Sequence, residues 1–162
     1  MLKILIPVDG SALSMDAVRH GLGLVHEGLR ATFVLANVQE PASLYEMVTA
    51  RDPDVLADVS EGAGEHLLAP AVALFAAAGV PCECDIALGE PVNALIDMVE
   101  RHGCDAVIIG AHGKGAVLGA LVGSVSQALV HACPVPVTVV KSLMLEAEEA
   151  GDAAGLVSAG AS

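Results

Sequence analysis

The segment Gly110-Ala111-His112-Gly113-Lys114-Gly115, continued by Gly119, Gly123, Ser124 and Ser126, concentrates residue types that can hold an anion. Glycine lets backbone N–H groups approach an oxyanion closely, and a helix opening near Ser124 adds free donors and a partial positive charge. A phosphate site built this way needs few basic side chains. The segment is not a Walker A loop, because no Gly-Lys-Ser/Thr follows a fourfold spacer. Nor is it the dinucleotide fingerprint, which sits after a first strand. A simpler reading stands beside the phosphate site. Glycines between a strand and a helix often serve only the turn, and Ser124 with Gln127 fits a capping box that satisfies the helix end by itself. The glycines alone leave both readings open.

Other residues add less. Asp9 follows an apolar run, where it can cap a helix or contact a sugar or a magnesium ion; its place at the end of a central strand favours ligand contact. His112 reads as a loop residue with a satisfied side chain rather than a base, and Lys114 as either a phosphate contact or an exposed lysine. His20, His26, His66, His102 and His131 show no metal-ligand spacing. Cys82, Cys84, Cys104 and Cys133 read as core thiols rather than ligands, since zinc knuckles space their cysteines by two to four residues. No arginine finger, positioned base or carboxylate pair accompanies the loop, which weighs against an enzyme.

The elements that must position these residues alternate along the chain. Leu2 to Val8 is a nearly continuous apolar run, the pattern of a strand covered on both faces. Ser11 is a plausible N-cap for a helix whose Met15, Val18, Leu22 and Val25 share one face. Thr32 to Asn37 reads as a second strand, Gln39 to Pro53 as a loop, and Asp54 to Ala78 as a helix that Pro70 should kink or divide. Cys82 to Leu88 is a third strand whose charged face, Glu83 and Asp85, suits a sheet edge. Pro91 opens a helix with Leu95, Met98 and Val99 on its apolar face, and Gly103 closes it. Ala106 to Ile109, Ser124 to Ala132 and Val137 to Val140 complete the order βαβαβαβαβ. That alternation implies an α/β fold, a parallel sheet with helices on both faces, because parallel strands need crossover connections.

Composition narrows the partners. The 162 residues carry 7 Lys or Arg against 20 Asp or Glu, a formal net charge of -13. So acidic a chain lacks the basic contacts that nucleic acid and anionic membranes require. Hydrophobic residues reach 54% and aromatics only 2%, so the core is aliphatic and the chain is not disordered. Gly115 to Val140 lacks acidic and basic residues, yet Ser124, Ser126, Gln127, Pro134 and Pro136 interrupt it too often for a membrane helix. No membrane insertion and a cytoplasmic address are expected. Residues 142–162, with Glu146, Glu148, Glu149 and Asp152 among Ala, Gly and Ser, are expected to form an acidic, flexible tail.

In this order, the spacing Gly110-x2-Gly113-x9-Gly123-Ser124 resembles the nucleotide-binding motif of the universal stress protein family. The opening Ile4-Leu5-Ile6-Pro7-Val8-Asp9-Gly10-Ser11, the Gly89-Glu90-Pro91 turn, Cys104-Asp105-Ala106-Val107-Ile108-Ile109-Gly110 and His131-Ala132-Cys133-Pro134-Val135-Pro136-Val137 carry the same resemblance. It covers residues 1–141 and implies one nucleotide-binding domain there. Residues 39–63 and Pro70 match nothing in it.

The resemblance implies a Rossmann-like, five-stranded parallel sheet in the order 3-2-1-4-5. It implies ATP, with magnesium, as the ligand, because the ATP-binding members of the family keep this motif. Asp9 and Val38 would lie at the adenine-ribose end, Val38 through main-chain groups. Gly110 and Gly113 would flank ribose and phosphates, and Gly123, Ser124 and Val125 would hold the phosphates, with Ser126 adding a hydroxyl. Pro7, Val8, Ile109 and His112 complete the implied binding set. The implied function is nucleotide-dependent regulation in a stress response, through an unidentified protein partner; the alternative is a slow ATPase or nucleotide hydrolase. A related nucleotidyl-transfer domain is disfavoured, because Asp9-Gly10-Ser11-Ala12 stands where a Ser-Gly-Gly-x-Asp-Ser loop is required. The last strand, an apolar edge, is expected to join two copies in a homodimer.

Overall fold

Alternating strand and helix signals become five parallel strands and four helices in a computed structural model that describes residues 1–40, 53–112 and 122–142. The strands are β1 (Leu2–Pro7), β2 (Ala31–Gln39), β3 (Cys82–Leu88), β4 (Ala106–Gly110) and β5 (Val137–Val140). The helices are α1 (Ala12–His26), α2 (Pro53–Ala77), α3 (Pro91–His102) and α4 (Ser124–Ala132). The sheet order is β3-β2-β1-β4-β5, with every pair parallel. The expected order is therefore the observed one, and β3 lies at an edge. Of the expected loop at 39–53, residues 41–52 fall outside the described residues, as do residues 143–162 of the expected tail at 142–162.

The period-two pattern of the central strands divides the core between two faces. Ile4, Ile6 and Val8 join Phe33, Leu35 and Ile108 on the side that carries α1 and α2, where Val18, Leu68, Ala71 and Phe75 cover them. Leu5, Val34, Ala36, Val107 and Ile109 turn to the other side, beneath Leu95, Met98 and Val99 of α3 and Leu129 of α4. With no tryptophan in the chain, the two phenylalanines meet in the first core, Phe33 against Phe75, ring centroids 4.9 Å apart. Helix α1 approaches the sheet closely because position 21 is glycine. A Cβ there would stand 2.9 Å from Ile6 Cδ1.

Local signals set the helix ends. Ser11 caps α1, its hydroxyl accepting from the Ser14 N–H at 3.2 Å. Glu90 caps α3, its carboxylate accepting from the Val92 and Asn93 N–H groups, and Gly103 ends that helix in the left-handed region at φ 61°.

Two expectations need correction. Of the kink or division expected at Pro70, division does not occur: α2 runs from Pro53 to Ala77 with the proline inside. Pro70 removes the bond to the His66 carbonyl, but both residues lie on the exposed side, where water can replace the donor. The thiols are not uniformly buried: Cys104 is, Cys82 and Cys133 are half-buried, and Cys84 is exposed, because an edge strand is only partly covered. All four are free of disulfides. The charged face of β3 carries ion pairs. Asp85 meets Arg101 and, at 2.6 Å, His102 Nε2, while Lys3 Nζ lies 3.0 Å from Glu83. Burial alone would raise the Asp85 carboxyl, but the hydrogen bonds from Arg101 and His102 outweigh it and hold the group below the ordinary carboxylate range.

Candidate functional site

Sheet order decides where a ligand can sit. From β1 the chain crosses to β2 on one side, and from β4 it crosses to β5 on the other. The carboxyl ends of β1 and β4 therefore flank the switch point, the place where open parallel sheets bind ligands. Four described segments reach it: 7–10 after β1, 38–39 at the end of β2, 109–112 at the end of β4, and 123–126 at the start of α4.

At the end of β1, Pro7 pairs with Ala36 and is half-buried. Val8 is buried, and its N–H donates to the Ala36 carbonyl at 2.8 Å. The Asp9 carboxylate accepts from the Ser11 N–H at 2.9 Å, which folds the turn into α1 while Ser11 supplies the cap. Asp9 is thus fixed in the turn between β1 and α1.

At the end of β4, Ile109 packs in the second core, so only its backbone can serve a ligand. Gly110 is buried against the first turn of α1. A Cβ there would lie 2.7 Å from the Leu13 carbonyl oxygen, closer than real side chains come. This glycine is therefore required by packing as well as by any ligand. Ala111 links three elements. Its N–H donates to Val140 at 2.8 Å, and its carbonyl accepts from the Gly123 N–H at 2.6 Å and from Ser126 Oγ at 2.8 Å. His112 is half-buried beside it. Gly113 falls outside the described residues.

The start of α4 differs from the capping box expected of Ser124 and Gln127. The N-cap is Gly123, which has no side chain to cap with, and Ser124 is the first helical residue. Its side chain is exposed. The box fails because the Ala111 carbonyl captures the Gly123 N–H and pulls the helix start back by one residue. The first-turn N–H groups have no intrahelical acceptor, so Ser124, Val125 and Ser126 present donors at the positive end of the helix. Val125 itself packs against the second core. Ser126 is buried, and its hydroxyl is spent on the Ala111 and Gly123 carbonyls.

Two residues at the end of β2 make side-chain bonds that the sequence does not report. Asn37 is buried near the end of β2, and its Nδ2 donates to the Val8 carbonyl at 2.7 Å. Gln39 donates in turn to Asn37 Oδ1 at 2.6 Å. The available signal was an amide in an otherwise apolar strand. Among the described residues no group of three His, Cys, Asp or Glu side chains forms a metal cage. Among the same residues no helix is long and apolar enough to cross a membrane.

Comparison with known proteins gives the family. The model of the universal stress protein family matches residues 1–141. The chain belongs to the universal stress protein family. A universal stress protein of Methanocaldococcus jannaschii is 24% identical over 86% of this chain and 81% of its own length. Among solved structures, the universal stress protein UspA of Lactobacillus plantarum shares the fold with a TM-score of 0.69 at 20% identity, over 86% of this chain and 97% of that one. A family member from Arabidopsis thaliana, solved with AMP bound, has a TM-score of 0.65 at 22% identity, over 90% and 95% of the two chains. The two solved structures share the fold.

Proposed function

We propose that this universal stress protein binds ATP with magnesium in the switch-point crevice and acts as a nucleotide-dependent regulator in a stress response. One observation carries the reading: the Ala111 carbonyl, held by the Gly123 N–H and the Ser126 hydroxyl, anchors the start of α4 beside the end of β4. That anchor sets three first-turn N–H groups and the exposed Ser124 side chain at the helix start, a donor set suited to phosphate oxygens. It achieves this in a protein of net charge -13, where a basic phosphate clamp is scarce.

In this reading Asp9 and the Val38 main chain receive the ribose and base, Pro7, Val8, Ile109 and His112 line that end, and Gly110 and Gly113 flank the phosphates. Gly123, Ser124 and Val125 hold the phosphates; Ser126 acts by holding the loop. A relative solved with AMP supports the ligand class. When bound, the nucleotide supplies a phosphate charge that the α4 N-terminus complements. The reading is of a binder whose hydrolysis is weak. Four free thiols favour a reducing compartment, hence the cytoplasm. A homodimer through β5 and an as yet unidentified protein partner complete the proposal.

Titration of the pure protein with Mg-ATP, together with phosphate release over hours, tests it. Saturable binding with little release supports a regulator. Steady turnover would make it an ATPase, and no binding at millimolar ATP would remove the assignment.

A further inference from the structure

The hydrogen-bond ladder between β1 and β2 stops one rung early. In a regular parallel ladder, evenly spaced bonds run from each residue to the partners on either side of its opposite number. Val8 follows this rule with its N–H, which donates to the Ala36 carbonyl. The next rung would join the Val38 N–H to the Val8 carbonyl. That rung is absent between these two described residues, and Asn37 Nδ2 donates to the Val8 carbonyl instead, at 2.7 Å.

Direction follows from the neighbouring bonds. The Gly89 N–H donates to the Gln39 carbonyl, so the backbone groups of Gln39 face β3. Alternation then turns the Val38 N–H and C=O to the opposite side, beyond Val8, into the switch-point crevice. The Asn37 amide has one workable orientation. The Val8 carbonyl can only accept, so it must face the NH2 group, and Gln39 Nε2 locks the arrangement by donating to Asn37 Oδ1 at 2.6 Å. Asn37 is 2% exposed, so it does not compete for a ligand itself.

We propose that Asn37, locked by Gln39, is the positioning residue for the base end of the site: by capping the Val8 carbonyl it keeps the Val38 N–H and C=O available as a donor–acceptor pair. The ligand feature that fits this pair is the edge of an adenine-type base, which presents a ring-nitrogen acceptor beside an amino donor. The inference deepens the ATP-binding reading and rests on it for the ligand. The break in the ladder stands on the hydrogen bonds alone.

Replacing Asn37 with leucine removes the competing donor and frees the Val8 carbonyl, which then draws the Val38 N–H into the missing rung. Amide exchange by NMR on the ligand-free protein reads this directly. The Val38 amide should exchange fast in the wild type and at least tenfold more slowly in Asn37→Leu. The same variant should lose at least tenfold in ATP affinity and keep its affinity for inorganic triphosphate, which has no base. A merely loosened fold would weaken both. Gln39→Ala, at a half-buried position, guards against misfolding of the first variant; it should cost about threefold in ATP affinity, again sparing triphosphate. Protection of the wild-type Val38 amide equal to that of Leu35, or unchanged ATP binding in Asn37→Leu, would overturn the role of Asn37. Fast exchange at Val38 in a wild type that binds no ATP would instead overturn the ATP reading.

Discussion

Ser126 Oγ donates to the Ala111 carbonyl at 2.8 Å and so joins the first turn of α4 to the end of β4 across a separation of fifteen residues. The Gly123 N–H reaches the same carbonyl. Together the two bonds tie the start of α4 to the end of β4, and they give the two serines different work: Ser126 holds that junction, while Ser124 is exposed.

The serines should therefore separate in experiment. Ser126→Ala removes a buried hydrogen bond but leaves the carbonyl one donor, so it should lower stability by about 1 kcal/mol. It should also weaken ATP binding, because the loop is less well held. Ser124→Ala should leave the melting temperature of the free protein within the range of ordinary surface substitutions, about 0.5 kcal/mol, and lower ATP affinity. Thermal melts with and without ATP check both. A stability loss in Ser124→Ala equal to that of a lost cap, about 1 kcal/mol, would place the cap back on Ser124.

The glycines of the site should not behave alike. Gly110→Ala forces a Cβ to within 2.7 Å of the Leu13 backbone, which cannot move without shifting α1. Destabilisation of about 1–3 kcal/mol, the usual cost of overpacking, is expected whether or not ATP is present. At Gly123 a Cβ would stand 3.2 Å from the Ala111 oxygen, so alanine should be tolerated better than valine. Denaturant melts of Gly110→Ala and Gly123→Ala measure the difference, and equal stabilities would contradict it.

Much of this architecture is legible in the sequence because its causes are local. Pro91, the apolar spacing of Leu95, Met98 and Val99, and Gly103 mark α3 within twelve or so residues, and the structure places α3 between those bounds. The edge position of β3 follows from Glu83 and Asp85 alternating with apolar neighbours. What the sequence hides are bonds whose partners lie far along the chain. Asn37 meets Val8 across 29 residues, and Ser126 meets Ala111 across 15. No periodicity reports either pair, nor the Gly123 N–H bond to the same Ala111 carbonyl that accompanies the cap at Gly123 rather than Ser124. The exposure of Cys84 escapes for a related reason: alternation gives a face, but not how far a helix covers it.

Strand β5 should join two copies. Pro136 and Val140 direct their carbonyls to β4, accepting from Val107 and Ala111. Alternation turns the backbone groups of Val137 and Val139 outward, where a second chain can pair with them. Val139→Pro removes an outward donor and leaves the β4 ladder intact. Light scattering should show a dimer for the wild type and a weakened one for the variant. A monomeric wild type at high micromolar concentration would contradict this pairing.

Acid should loosen the attachment of β3 to α3. The Asp85 carboxyl is held below its ordinary range, so its contribution is complete above the unfolded value of about 3.9 and is lost as pH falls through the folded value. Asp85→Asn should cost about 1 kcal/mol at pH 7 and progressively less as the pH falls below about 3.9. Melts across that range check the sign; a variant penalty that grows toward low pH would contradict it.

The most direct test of the nucleotide site is calorimetric titration of Mg-ATP into the wild type and into Gly113→Val, with the melting temperature of each measured free of ligand. The account predicts saturable binding of one ATP per chain by the wild type, and no measurable binding by a variant that melts at the same temperature. Equal ATP binding by the two proteins, or no binding by the wild type at millimolar ATP, would contradict it.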